Sequence, residues 1–292
     1  MSGFLVVGGD SLVGGEVVRA LRRRGHHVIA TTRRAETVGD DRVYLDFANA
    51  GSFNVPANVD YAFVIAAATN YDRCENDPLA EKINVELIPQ LVGSLLERGL
   101  FVTFISTNSV FGGEVPWPGE DDPHAPGIAY SRQKSEGEAA IHAAGRARHA
   151  LDRINITRLT KILAPATPPL PAWTAAWQRG ETVQPFDDLI FAPLSLQFAG
   201  DSLARIGELR FAGNLHLSGA ENVSYADFAR ALAARLGVDS SLIAPTTATA
   251  QGVQILFKPT FSGIGMRKTK KVTGIEPQTL ASVIDDLLMQ KD

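Results

Sequence analysis

Tyr130 and Lys134 stand four residues apart in "AYSRQKSEGEAAI" (Ala129 to Ile141), which puts both on one face of a helix, one turn apart. A phenol beside an ammonium is a general acid at hand. The free phenol titrates near ~10, and a neighbouring positive charge lowers that value toward neutral pH. Upstream, "FVTFISTNSVFGG" (Phe101 to Gly113) carries Ser106 and Thr107 at the end of an apolar, strand-like run. A hydroxyl there either hydrogen-bonds a substrate carbonyl oxygen or caps the segment that follows, and the residue types leave both open. Taken alone, neither feature is specific.

The stretch "FLVVGGDSLVGGEVV" (Phe4 to Val18) reads as a buried strand, a glycine turn and a helix start, the layout that seats a dinucleotide pyrophosphate. Gly8 and Gly14 hold the outer glycine places, for the tight turn and for close helix packing; Ser11 stands in the middle one. A serine there caps the helix or donates to a phosphate oxygen, so binding is expected to survive. An NAD-selective site places an acid about 20 residues further on to hold the ribose 2′-hydroxyl. Here "HHVIATTRR" ends instead in Thr31, Thr32, Arg33 and Arg34. Guanidinium groups suit a 2′-phosphate, so NADP(H) is the expected cofactor, against the plainer reading of a solvated basic loop. Asp46, in "VYLDF", either accepts from the adenine amino group or caps a helix.

These side chains need a scaffold that gathers strand ends at one edge. Strand-like "FLVVG", "HHVIATT", "YAFVIAAA" and "LFVTFIST" alternate with helix patterns, one after Ser11 closed by Gly25 and one over Asn84–Arg98 closed by Gly99. The alternation predicts an α/β fold, a Rossmann-type doubly wound parallel sheet. The proline-dense "APATPPLPAW" marks a change near residue 164. Residues 1–164 read as the NADP-binding domain and 165–292 as a smaller, discontinuous C-terminal substrate lobe. "GNLHLSG" (Gly213 to Gly219) alternates like a strand and is expected to return to the main sheet.

With 45% hydrophobic and 21% charged residues among 292, the chain has enough apolar content for a sizeable core. A net charge of −4 gives no footprint for nucleic acid or an anionic membrane. No apolar run is long enough to span a bilayer and no signal peptide is visible, so a cytoplasmic protein is expected. The single cysteine, Cys74, excludes an internal disulfide and reads as packing rather than a nucleophile. The six histidines show no metal-ligand spacing, and no metal is expected.

The residues resemble a family, the extended short-chain dehydrogenase/reductases that act on nucleotide sugars, and within it the dTDP-4-dehydrorhamnose reductase branch. The resemblance runs over nearly the whole chain: "GGDSLVGG", "VIAAATNYDRCENDP", "INV" at Asn84, "ISTNSVFGG", "YSRQK" and "ITRLTKILAP", in the same order and spacing. It implies an enzyme that reduces a 4-keto group on a nucleotide-activated deoxysugar. Tyr130 would give the proton, Lys134 would hold the nicotinamide ribose and lower the tyrosine pKa, and Thr107 would be the catalytic hydroxyl. Cofactor contacts would come from Gly8, Ser11, Leu12, Val13, Gly14, Thr32, Arg33, Arg34, Asp46, Phe47, Ala66, Ala67, Ala68, Asn84, Ser106, Tyr130, Lys134 and Leu163. Substrate contacts would come from Thr69, Thr107, Asn108, Tyr130 and Trp173.

The chain departs from that pattern at Ser11, and at Asn108 and Ser109, where the branch tends to carry Asp and Tyr. Without an acid after Thr107, a 4,6-dehydratase is not expected. A nucleotide-sugar epimerase, a reductase of another ketone or aldehyde, and a non-catalytic NADP-binding regulatory subunit stay open as alternatives. Trp173 and Trp177, one helical turn apart, either stack on a nucleotide base or pack in a core. The basic "MRKTKKVTG" (Met266 to Gly274) either meets a diphosphate or is solvated surface. The expected partner is a small-molecule nucleotide sugar, with no nucleic acid and no membrane; a homodimer is an open alternative.

Overall fold

The protein was analysed as a computed structural model that describes residues 3–49 and 53–289. Its strands, in chain order, are β1 (Gly3–Val7), β2 (His27–Thr32), β3 (Arg42–Tyr44), β4 (Tyr61–Val64), β5 (Phe101–Thr107), β6 (Ile154–Leu159), β7 (Lys161–Leu163), β8 (Ile190–Phe191), β9 (Pro193–Ser195), β10 (Gly213–Leu217) and β11 (Val223–Ser224). Seven of them form one parallel sheet in the order β10-β6-β5-β4-β1-β2-β3. The chain runs outward from β1 through β2 to β3, then returns to place β4 on the other side of β1. A crevice opens at that reversal, beyond the carboxyl ends of the strands.

Period-two alternation explains why these strands read as unbroken apolar runs. Phe4 and Val6 face a cluster with Val17, Leu21, Leu203 and Leu215. Leu5 and Val7 face the opposite cluster, with Ile88, Leu95, Phe104 and Ile141. Helices therefore cover both faces, as a doubly wound sheet requires. The Leu12–Arg23 helix ends at Gly25, whose φ of +80° lets His26 N–H reach back to Leu21 O at 3.1 Å.

The expected single helix over 84–98 differs in detail. The described helix starts at Pro78, widens into a π turn over Ile83–Leu87 and continues as Ile88–Glu97. Pro89 has no N–H to give and its ring crowds the preceding turn, which the wider turn accommodates.

The segment at 213–217 is the sheet's last strand, in register from Gly213 opposite Asn155 to Leu217 opposite Leu159. The Leu196–Leu209 helix packs on the main sheet through Leu203 and Ile206, while other C-terminal elements close a separate apolar cluster around Leu170, Trp173, Phe191, Phe228 and Ile284. Two small pairings, β8 with β11 and β7 with β9, frame it.

A buried polar network joins the Ala129–Ala147 helix to the sheet. Arg158 on β6 places Nη2 2.7 Å from Glu138 of that helix, and both side chains are 3% exposed. Arg158 Nη1 also donates to Glu120 O at 3.0 Å and to His216 Nε2 at 3.1 Å, while His216 Nδ1 donates to Gly265 O at 2.8 Å. Burial, with Arg158 alongside, pushes the His216 pKa down to about 3, so the ring is neutral. The Glu120 carboxylate accepts from the N–H groups of Lys268 and Thr269. The basic 266–274 stretch is thus a capped helix, Arg267–Thr273, with Lys268 paired to Asp121 and Lys270 to Glu276. Removing one partner of a buried pair strands the other charge at a cost of roughly 3–5 kcal/mol. Glu138→Gln should therefore lower the urea midpoint substantially, with an unchanged m-value marking a loss of native stability.

Candidate active site

Gly8 closes β1 with φ +96°, and a Cβ there would sit 2.7 Å from Ala66 N. At Gly14 a Cβ would meet Gly8 O at 2.1 Å, so strand and helix touch backbone to backbone. Ser11 needs no glycine: its φ is −76°, and it caps the helix, donating to Gly8 O at 2.7 Å and accepting from Gly14 N–H at 3.0 Å. The result is a glycine cradle at a capped helix N-terminus, where Leu12 and Val13 begin the first turn.

Beyond it lies a crevice of about 270 Å³ that brings together Gly8, Ser11, Thr32, Arg33, Asp46, Phe47, Ala66, Ala67, Ala68 and Thr69. A larger but shallow depression of about 610 Å³, around Arg205 and Gln278, contains none of these groups. Asp10, not singled out from the sequence, organises one end of the crevice. Its Oδ2 accepts from Thr32 Oγ1 at 2.7 Å and Arg33 N–H at 3.2 Å; its Oδ1 accepts from Arg34 at 3.0 Å and Arg42 at 2.9 Å. Burial raises the Asp10 pKa, but these donors outweigh it and bring it down to about 2. Arg34 is therefore engaged, whereas the exposed Arg33 guanidinium has no partner among the described residues. Asp46 lines the crevice and accepts from Ala48 N–H at 3.0 Å, the capping role.

Asn84, at the π turn, is 1% exposed and fixes the crevice wall. It accepts from Ala68 N–H and donates to Ala68 O, each at 2.9 Å, and donates to Gln133 Oε1 at 2.9 Å. The wall is thereby tied to the helix that carries Tyr130 and Lys134. Cys74 packs beneath with Ala80 and Ala129, and burial pushes its thiol pKa up, as befits an inert side chain.

Lys134 is 2% exposed; its Nζ donates to Ile105 O at 2.7 Å and lies 3.9 Å from the Phe104 ring centre. Burial lowers its pKa to about 7, against the pull of the Glu138 carboxylate one turn along. Tyr130 is the group this ammonium was expected to acidify, and the structure corrects that expectation. Burial pushes the phenol above its ordinary value, the Tyr71 phenol adds to the push, and only contact with the Thr107 hydroxyl opposes it. Tyr130 is thus held protonated. Thr107 ends β5, within reach of Ser109 Oγ at 3.2 Å, and caps the turn that follows by accepting from Ser109 N–H at 3.2 Å. Ser106 is 5% exposed, with a buried hydroxyl lacking a partner among the described residues.

Asn108 divides its amide between two partners: Nδ2 donates to Ser262 O at 2.8 Å, while Oδ1 accepts from the Thr107 hydroxyl at 3.3 Å, so the side chain stays beside Thr107. Two expected contacts fall elsewhere. Trp173 is 7% exposed and packs against Trp177 and Tyr225, a core position rather than an open stacking surface. Leu163 is 2% exposed in the same cluster. Two residues that sequence reasoning passed over stand near Tyr130. Tyr71 lies 5.3 Å from it, ring centre to ring centre, and Tyr225, packed on Phe191, interacts electrostatically with Tyr71.

The model of the RmlD substrate binding domain matches residues 1–291. The chain belongs to that family. Its members are extended short-chain dehydrogenase/reductases, and the chain is an oxidoreductase of that type. A curated relative, a probable low-salt glycan biosynthesis reductase of Haloferax volcanii, is 27% identical over 254 residues, covering 82% of this chain and 81% of its own. Among solved structures, the dTDP-4-dehydrorhamnose reductase of Yersinia enterocolitica superposes with a TM-score of 0.79 at 20% identity, over 98% of this chain and 100% of that one. The Bacillus anthracis dTDP-4-dehydrorhamnose reductase in complex with NADP does so with a TM-score of 0.79 at 16% identity, over 100% of both chains. At such identities the structural likeness speaks for the fold.

For this member of the family, burial of Lys134 has a consequence for stability. Its folded pKa of about 7 lies below the unfolded value of 10.5, so between those values the unfolded chain binds the extra proton. Stability should therefore rise as pH climbs through 7 toward 10. Thermal midpoints measured from pH 6 to 9 should show this rise in the wild type and a reduced rise in Lys134→Met.

Proposed function

We propose that the chain reduces a 4-keto group on a nucleotide-activated deoxysugar with NADPH. The observation that carries the reading is a protonated, partly buried Tyr130 in contact with Thr107 at the end of β5. The residues fit the cofactor. A Cβ at Gly8 or Gly14 would fill the cradle, the helix N-terminus would present N–H groups to a pyrophosphate, and the exposed Arg33, unpaired among the described residues, suits a 2′-phosphate. Gly8, Ser11, Leu12, Val13 and Gly14 would hold the pyrophosphate, and Arg33 with Arg34 the 2′-phosphate. Asp46, Phe47 and Ala66–Ala68 would enclose the adenosine end, with Asn84 as the wall's anchor. When bound, NADPH supplies the hydride.

The chain's own groups supply the rest. Tyr130 gives its proton to the substrate oxygen as negative charge develops there. The Thr107 hydroxyl donates to the same oxygen, so two donors meet the developing alkoxide. Lys134, close to half-protonated at neutral pH and bound to Ile105 O, would hold the cofactor ribose. Its positive charge stabilises the phenolate left on Tyr130, which is a different service from acidifying the resting phenol.

The test follows NADPH absorbance with a panel of nucleotide 4-keto-6-deoxy sugars. Wild type should consume NADPH, while Tyr130→Phe should turn over at least ~100-fold more slowly with little change in NADPH affinity. Equal rates would remove Tyr130 from the donor role. Arg33→Ala should weaken NADPH roughly tenfold and leave NADH nearly unaffected, as fluorescence titration of each would show.

A further inference from the structure

We propose that Tyr71 is a substrate-binding residue, forming the wall against which the sugar ring lies beside Tyr130; this rests on the reductase reading above. Tyr71 is the first residue of the Tyr71–Asn76 helix, whose cap is Asn70, accepting from Arg73 N–H at 2.9 Å. The element is immobilised from beneath, since Gln133 of the catalytic helix donates to Cys74 O at 2.8 Å and Asn84 clamps Ala68. The distance from Tyr71 to Tyr130 is therefore set by packing. The two rings stand 5.3 Å apart at 34°.

What the ring offers is open. Tyr71 is 37% exposed, and its hydroxyl makes no hydrogen bond among the described residues. Burial pushes its phenol pKa up, so it is a neutral donor. It follows directly on the crevice wall, Ala66 to Thr69, so one element serves both the crevice and the catalytic tyrosine. From the C-terminal half, Tyr225 carries a phenol raised by burial, with Tyr71 adding to the push across the gap.

The neighbouring alternatives are already engaged. Ser109 is 1% exposed and bound to Thr107, and the Asn108 amide is held by Ser262. Tyr71 supplies an open phenol beside Tyr130 from another element. A pyranose has an apolar face and a rim of hydroxyls, which suits an aromatic face with a donor at its tip.

The experiment compares wild type, Tyr71→Phe and Tyr71→Ala, using dTDP-4-dehydrorhamnose and the 4-keto-6-deoxy sugar panel, with KM, kcat and the NADPH Kd measured separately. Loss of one hydrogen bond should raise KM roughly fivefold to tenfold in Tyr71→Phe, with kcat within about twofold and the NADPH Kd unchanged. Tyr71→Ala should raise KM further. Wild-type KM in both variants would overturn the assignment, and so would an NADPH Kd that weakens in step with activity. A wild-type protein that binds NADPH yet reduces no panel member would instead sink the reductase reading, and this assignment with it.

Discussion

The ammonium of Lys134 is buried in the middle of the molecule, and the catalytic region is built around keeping it there. Moving an ion of that kind out of water costs several kcal/mol even after relaxation. Local contacts offset only part of that cost, so the pKa falls to about 7: a carbonyl of β5 at 2.7 Å, the face of Phe104, and the Glu138 carboxylate on the next turn. Each contact demands that the Ala129–Ala147 helix lie at one height and rotation on the sheet. Glu138 is in turn fixed by Arg158, Arg158 by His216 and Glu120, and Glu120 by the backbone of residues 268 and 269. A helix held this firmly puts Tyr130 against Thr107 without a ligand to guide it.

The crevice uses the opposite strategy, in which small residues let backbone approach backbone. Gly8 and Gly14 cannot carry a side chain, because a Cβ at either would collide with main-chain atoms. Ser11 can, because its backbone is ordinary and its hydroxyl completes the helix cap. The glycine missing from the middle of the turn is thus a position where only closeness to a ligand, and not the fold, would demand glycine. At the far end Asp10 has all four of its acceptor positions filled by the chain's own donors. It resembles the acid of an NAD site in type but is saturated, which leaves Arg33 as an exposed charge with no partner among the described residues.

Around Tyr130, short-range contacts fasten the end of β5. Asn108 ties residue 262 to Thr107, and Ser109 is buried against the Thr107 hydroxyl. The open aromatic ring beside Tyr130 comes from position 71, on a helix rooted in the crevice wall.

Much of this was legible in the residues. Alternation of buried strands and amphipathic helices, glycines at helix ends, the turn after β1 and the Tyr130–Lys134 spacing are all local. They follow from steric rules and side-chain periods that act within a turn or two of chain. The sheet and the position of the crevice come from those rules, and so does the placing of Tyr130 and Lys134 on one helix face. What only the tertiary structure decided concerns partners distant in sequence. Arg42 reaches Asp10 from 32 residues away, Asn108 is bound by Ser262 across 154, and Trp173 is sealed into a core that Phe228 and Ile284 help to build. The sign of the Tyr130 shift belongs to the same group. A neighbouring lysine four residues off predicts an acidified phenol; burial raises it instead, and the titratable Tyr71 and Cys74 beside it add to the rise. Spacing along the chain tells which side chains are near each other, but desolvation depends on everything else that packs around them.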